Sequence, residues 1–322
     1  MQVYRSLEEV PPDFGPSAVT IGNFDGVHFG HRRILRRVKE IAAEHGWKPS
    51  VLTFDPHPTM VVAPERTPAL LTSPERRAAL MREEGIEQVL ILPFTRELAM
   101  LTPEEFVERL LVKALGARAV LVGDNFRFGH RHAGTVATLE QLGVELGFET
   151  GIVPAVHCRG QVVSSSAIRR LIATGRVALA ARFLDRPYSV EGEVESGRGV
   201  GSRETVPTLN LATSAALVPA TGVYLTRTHD LESGREWNSI TNVGYRPTFG
   251  ASDRLTIETF LLDPLDESSP RRIALDFLAR VRDERKFESP EALKAQILRD
   301  VAAAQRYFRR REKWTARYPA AV

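Results

Sequence analysis

A chain of 322 residues, 43% of them hydrophobic, is long enough for two domains that each bury a core. With 43 Lys and Arg against 40 Asp and Glu the net charge is +3; bases interspersed with acids permit phosphate-bearing ligands without pointing to nucleic acid. The single cysteine, Cys158, excludes an internal disulfide framework, no run of about 20 apolar residues offers a membrane span, and residues 1–5 lack the pattern of a secretory signal, so a reducing cytoplasm is the expected home.

The first half alternates strands and helices. Apolar, β-rich runs at 18–21, 50–54, 89–94, 119–122 and 151–156 are separated by amphipathic patterns at 32–45, 74–84, 103–115 and 134–146. That alternation predicts an α/β domain with a parallel sheet covered on both faces. Ser73-Pro74-Glu75 and Thr102-Pro103-Glu104 each supply a capping hydroxyl, a proline at the first helical position and an acid in the first turn. A further helical stretch at 165–184 ends at Asp185-Arg186-Pro187. Beyond it, short runs at 188–195, 222–229, 237–243, 255–262 and 272–281 follow one another without helices, which predicts antiparallel pairing and a small barrel. Ser289-Pro290-Glu291 opens a last helix to about 311. The expected division is therefore 1–185 and 186–322.

The segment Gly22-Asn23-Phe24-Asp25-Gly26-Val27-His28-Phe29-Gly30-His31 leads from an apolar strand into a helix. Free backbone N–H groups and the positive end of the helix dipole at such a junction suit a polyphosphate, and the glycines permit close backbone approach. His28 and His31, three apart, share one face of the first turn. Both can donate hydrogen bonds to phosphate oxygens as charge builds on them during attack at phosphorus. A zinc site would need a third ligand, and none is evident. The run resembles the signature of the nucleotidylyltransferase superfamily, whose fold is Rossmann-like. With Asn23 and Val27 it resembles that of bacterial bifunctional riboflavin kinase/FAD synthetase, and the resemblance implies that Gly22, Phe24 and Gly30 contact ATP.

Three more segments match that family. Asp55-Pro56-His57-Pro58 follows the second strand run, where ligands of open α/β sheets bind; the alternative is a rigid structural turn. Asn125, Phe126 and Phe128 follow the fourth and offer amide and aromatic surface to a flavin ring, although phenylalanine pairs are more often core. The resemblance implies flavin contacts for all five of Asp55, His57, Asn125, Phe126 and Phe128. The family carries a second acid where this chain has Asn125. Ser164-Ser165-Ser166-Ala167-Ile168-Arg169 reads both as a helix cap and as a phosphate clamp; the resemblance implies that Arg169 is a catalytic residue touching the ATP phosphates and that Ser164 and Ser165 lie at the ATP site.

In the second half, Gly197-Arg198-Gly199-Val200-Gly201 could wrap phosphates or be an ordinary turn. Pro207-Thr208-Leu209-Asn210 resembles the riboflavin kinase motif, which implies that Thr208 and Asn210 contact ATP phosphate and its Mg²⁺. Ile257-Glu258-Thr259-Phe260 resembles the strand bearing that family's catalytic glutamate, here Glu258. Thr205 and Val206 stand where the family has Gly-Phe, and Phe260 stands where it has His.

The resemblance thus implies a cytoplasmic enzyme of FAD biosynthesis that converts riboflavin and ATP to FMN, then FMN and ATP to FAD and pyrophosphate, with Mg²⁺. One alternative is FMN adenylyltransferase activity alone, with a weakened kinase domain. A non-catalytic flavin-binding protein is another, but it would need neither the histidine pair nor Glu258.

Overall fold

The computed structural model describes residues 1–195, 208–248, 251–265 and 269–317, of which 246–248, 251–254 and 314–317 are described by their backbone. The chain divides into two units, Met1–Ala167 and Ile168–Val322.

In the first unit β1 (Gln2–Tyr4), β2 (Ser17–Ile21), β3 (Lys48–Asp55), β4 (Gln88–Pro93), β5 (Ala117–Gly123) and β6 (Glu149–Val153) form one sheet in the order β1-β4-β3-β2-β5-β6. Every pair is parallel. Parallel strands covered on both faces read as unbroken apolar runs, and alternate side chains enter two cores. Leu52, Phe54, Val120 and Val122 meet Leu110 and Leu139 on one side. Val51, Val89, Ala119 and Leu121 meet Leu35, Val38 and Met81 on the other.

The covering helices are α1 (Phe29–His45), α2 (Pro58–Val62), α3 (Pro74–Glu83), α4 (Arg96–Ala99), α5 (Pro103–Phe106) and α6 (Val136–Leu146). Helix α1 stops at Gly46 with φ 70°, a left-handed C-cap that glycine adopts without a Cβ clash. Ser73 and Thr102 cap α3 and α5 as their sequences predict. The helix expected over 103–115 starts as α5 and continues as a π-helical stretch, Val107–Ala114, closed by Leu115 N–H donating to Leu110 O. Two features carried too little pattern to predict: the three-residue edge strand β1, and a hairpin of β7 (His157–Cys158) and β8 (Gln161–Val162) turning through Arg159 and Gly160 at positive φ.

The helix expected over 165–184 is two, α7 (Ser165–Ala173) and α8 (Val177–Leu184). They part at Gly175, φ 72°, where a Cβ would sit 2.9 Å from Tyr224 Oη and from Arg280 Cδ. The change of texture near 186 marks the first barrel strand, whereas packing assigns α8 and most of α7 to the second unit: Ala220 N–H donates to Ile172 O at 3.3 Å.

Strands β9 (Tyr188–Glu195), β10 (Thr208–Ala212), β11 (Gly222–Asp230), β12 (Glu236–Thr248), β13 (Ala251–Leu261) and β14 (Arg272–Arg282) close an antiparallel barrel in the order β10-β13-β12-β11-β14-β9. Five of the six were legible as strand-like runs. The sixth, β10, is five residues long and carries the Thr208–Asn210 motif. Helix α9 (Pro290–Arg317) follows. Among the described residues no helix is long and apolar enough to cross a membrane.

The barrel interior holds a ladder of fully buried hydroxyls. Thr228 meets Ser239 at 2.8 Å, Ser239 meets Thr226 at 2.8 Å, Thr226 meets Thr241 at 2.7 Å, and Thr241 donates to Thr259 at 2.8 Å. Buried polar groups are tolerated when each finds a partner. We expect Thr226→Val, which keeps the shape and removes the hydroxyl that links Ser239 to Thr241, to cost about 1–3 kcal/mol in denaturant unfolding of the barrel.

On the same barrel His229 lies between Asp276 (Nε2 to Oδ2, 3.0 Å) and Glu236 (Nδ1 to Oε1, 3.1 Å). The hydrogen bond to Asp276, aided by the charges of Asp276 and Glu236, raises its pKa above the ordinary histidine value against the opposing effect of burial. A group with a raised folded-state pKa binds its proton more tightly when folded, so the stabilisation is complete below about pH 6.5, the unfolded value, and is lost as pH rises through the folded value. The thermal midpoint should therefore fall over that window, and His229→Gln should flatten the fall.

Candidate active site

In the first unit the order of the sheet reverses between neighbours β2 and β5: the chain runs from β2 through β3 to β4 on one side and from β5 to β6 on the other. Ligands of open α/β sheets bind in the crevice at the strand carboxyl ends beside such a reversal. Residues Gly22–His28 leave β2 there, and Gly123–Phe128 leave β5.

The loop after β2 is tightly wound, with positive φ at Phe24 (48°), Gly26 (82°) and Val27 (37°). Asp25, 2% exposed, holds the winding. Its carboxylate accepts from Leu71 N–H at 2.9 and 3.0 Å, Thr72 N–H at 3.1 Å and Thr72 Oγ1 at 3.3 Å, and Gly26 N–H donates to Thr72 Oγ1 at 3.0 Å. His28 is the N-cap of α1: its Nδ1 accepts from His31 N–H at 3.3 Å. The His28 and His31 rings stack with centroids 3.6 Å apart and planes 14° apart. Gly30 packs closely between them: a Cβ there would lie 3.1 Å from His28 Cε1, so a larger residue would have to displace that ring. Phe24 is buried, its ring 5.0 Å from that of His31 and against Gly22. As a side chain it therefore supports His31 from behind.

At the end of β3, His57 caps α2 through Nδ1, which accepts from Thr59 N–H at 3.3 Å, while Nε2 lies 3.1 Å from Asn23 Nδ2. Asp55 ends the strand half-buried. After β5, Asn125 is exposed and Phe126 half-buried. Phe128 is 5% exposed and built into the core, 5.7 Å from Phe106 and stacked 5.5 Å from Phe126. Phe126 is therefore the member of the pair with surface to offer a ligand, and Phe128 backs it. Ser165 Oγ donates to Asp25 O at 2.9 Å, and Ser164 Oγ accepts from Ala167 N–H at 3.3 Å at the start of α7. The first and fourth motifs are thereby joined. Arg169 lies one turn further along α7, half-buried, in the second unit.

In the second unit Glu258 of β13 stands directly opposite Asn210 of β10 and Asn242 of β12. Two residues along, Phe260 stands opposite Thr208 and Ile240. Directly opposed residues and those two apart share a sheet face, so Thr208, Asn210, Asn242, Glu258 and Phe260 form one patch on the outer wall. A cavity of about 300 Å³ lies over the Asn242, Glu258 and Phe260 part of it, lined also by Phe287 and by Ile297 of α9. Arg282 on its rim pairs with the buried Asp300 of α9 at 2.9 Å and lies over the Phe287 ring at 5.7 Å. Asp300 carried no signal as a site residue, since only the return of α9 brings it here. Among the described residues no group of three or more His, Cys, Asp or Glu is placed to hold a metal ion. The calls on Gly197, Thr205 and Val206 lie outside the described residues.

Residues 11–167 match the family model for FAD synthetase and residues 184–308 that for riboflavin kinase. The bifunctional riboflavin kinase/FMN adenylyltransferase of Pseudomonas fluorescens is 39% identical over 305 residues, 95% of this chain and 97% of that protein. The chain belongs to the bifunctional riboflavin kinase/FMN adenylyltransferase family. The Escherichia coli K12 member is 35% identical, over 94% of this chain and 96% of its own length. A crystal structure described as a macrolide-efflux protein from Streptococcus pneumoniae matches with a TM-score of 0.83 and 26% identity, covering 94% of this chain and 98% of that one. The FAD synthetase domain holds the parallel sheet and the histidine pair, and the riboflavin kinase domain holds the barrel and Glu258. The expected fold class and enzyme family thus stand.

In the FAD synthetase domain the Asp25 clamp carries the shape of the loop. Asp25→Ala leaves three donors short of an acceptor, and we expect a loss of about 1–3 kcal/mol in unfolding of that domain, with FAD formation falling further than stability alone accounts for.

Proposed function

We propose that the crevice at the ends of β2, β3 and β5 performs adenylyl transfer with His28 and His31 as its catalytic donors. The observation that carries this reading is the stacked imidazole pair at the N-terminus of α1, beside the reversal in strand order. An FMN phosphate oxygen attacks the α-phosphorus of ATP; the new P–O bond forms as the bond to pyrophosphate breaks. Charge moves onto the equatorial and departing oxygens, where imidazole N–H groups and the helix N-terminus stabilise it. Backbone at Gly22, Phe24 and Gly30 approaches the nucleotide, Ser164, Ser165 and Arg169 hold its phosphates, and Asp55, His57, Asn125 and Phe126, backed by Phe128, face the flavin.

In the barrel, Glu258 takes the proton of the ribityl 5′-hydroxyl as that oxygen attacks the γ-phosphorus of ATP. Asn210 stands opposite Glu258 and Thr208 two residues along on the same sheet face; the hydroxyl and amide oxygen they offer there are a hard-oxygen set that fits Mg²⁺. With so few protein ligands, the ion would lean on substrate phosphates and water, and its chemistry there is to neutralise phosphate charge. Phe260 lines the cavity where the family has His; the match of both domains to their family models favours both activities over one. The expected setting is the bacterial cytoplasm, and the substrates are riboflavin, FMN and ATP.

The two reactions can be separated. His28→Ala with His31→Ala should lower FAD formation from FMN by about a hundredfold or more and leave FMN formation from riboflavin intact. Glu258→Gln should do the reverse. Coupled assays of pyrophosphate and ADP release distinguish them, and adenylyl transfer that survives loss of both histidines would overturn the assignment.

A further inference from the structure

Helix α3 opens with Pro-Glu-Arg-Arg, a charged start of the kind usually left in solvent. Yet Arg77 is 4% exposed. Its guanidinium runs beneath the carboxyl ends of two strands. Nη1 donates to Asn23 O at 2.6 Å and lies 3.4 Å from Thr53 Oγ1, and Nη2 donates to Phe54 O at 3.3 Å. Thr53 Oγ1 in turn donates to Asn23 O at 3.3 Å. All these acceptors are neutral. Burying a guanidinium without a contacting carboxylate is costly, and burial lowers its pKa against the nearby charges of Asp25, Asp55 and Glu75, which raise it. Tying off two carbonyls alone could be done by a neutral donor at smaller cost.

Two candidate loops begin at the atoms Arg77 holds. Asn23 precedes the Asp25–His31 winding, and its side chain touches His57; Phe54 precedes Asp55. We propose that Arg77 is a positioning residue for adenylyl transfer, fixing the spacing between the loop that presents the histidine pair and the strand end that presents Asp55 and His57. It touches neither substrate and acts through Asn23 and Phe54. The planar fork suits this task because two nitrogens at fixed separation bridge two carbonyls, whereas a lysine ammonium is a single point on a flexible stem.

The inference rests on reading that crevice as the adenylyl-transfer site, and a parallel variant separates the two. In the full chain, Arg77→Lys and Arg77→Gln are compared for FAD formation, with ATP and FMN varied independently and kinase activity of the same sample giving the enzyme concentration. We expect KM for FMN to rise tenfold or more in Arg77→Gln, with a smaller fall in kcat. Arg77→Lys should recover part of it, and Arg77→Lys should be non-additive with Asn23→Ala. Unchanged KM values in both variants, with kcat falling only in proportion to the folded fraction measured by circular dichroism, would show a merely structural arginine and overturn the proposal. Should Arg77→Gln fail to fold, the KM of Arg77→Lys and its coupling to Asn23→Ala decide the matter: additivity overturns it. If His28→Ala with His31→Ala remains active, the reading of the crevice fails whatever Arg77 does.

Discussion

A parallel sheet buried on both faces leaves little room for charge along its strands. Val19, Val51, Leu52, Leu90, Val120 and Leu121 are all fully or almost fully excluded from solvent, and the polar side chains among them, such as Thr20 and Ser50, are small and uncharged, so the groups proposed for catalysis lie at the strand ends. At the carboxyl ends, the loops on either side of the strand-order reversal diverge and leave a crevice. Everything proposed for adenylyl transfer follows from that placement. The residues proposed for the reaction lie at that edge, where a helix N-terminus can meet phosphate and where the backbone is wound through positive φ at Phe24, Gly26 and Val27.

The winding is held from below and from the side by groups that the reaction does not consume. Asp25 ties the loop to residues 71 and 72, Ser165 ties it to the start of α7, and Arg77 ties its first residue to the end of β3. A buried carboxylate with several donors and a buried guanidinium with several acceptors are both costly to place and costly to disturb. Such groups turn a short glycine-rich loop into a fixed cradle, and catalysis by electrostatic stabilisation needs donors already in position.

The riboflavin kinase domain reverses the arrangement. Its barrel keeps a polar ladder inside, the hydroxyls of Thr226, Thr228, Ser239, Thr241 and Thr259 satisfying one another, and builds its cavity on the outer wall under α9. The alternation of β13 explains both. Ile257, Thr259 and Leu261 point inward, and Glu258 and Phe260 point to the cavity. Strand register, and not sequence proximity, aligns Asn210 and Asn242 with Glu258.

Much of this could be read from the chain alone, because the signals are local. Strand runs, proline-led helix starts, the glycine at the end of α1 and the His28/His31 spacing depend on neighbours within a few residues, and the motifs that mark the family do too. What depended on distant partners could not be read. Gly175 interrupts the expected helix at positive φ, in a place where Tyr224 and Arg280 leave no space for a Cβ. Phe128 is built into the core because Phe106 and Gly134 pack on it. Arg77 sits in a pattern that looks solvent-exposed and is buried because two strand ends pass above it. Local sequence determined the kinds of element, their order and the chemistry on offer. Only the tertiary structure decided which polar groups are buried, which carbonyls they hold and which side of a strand faces a ligand, since those depend on contacts between residues tens of positions apart.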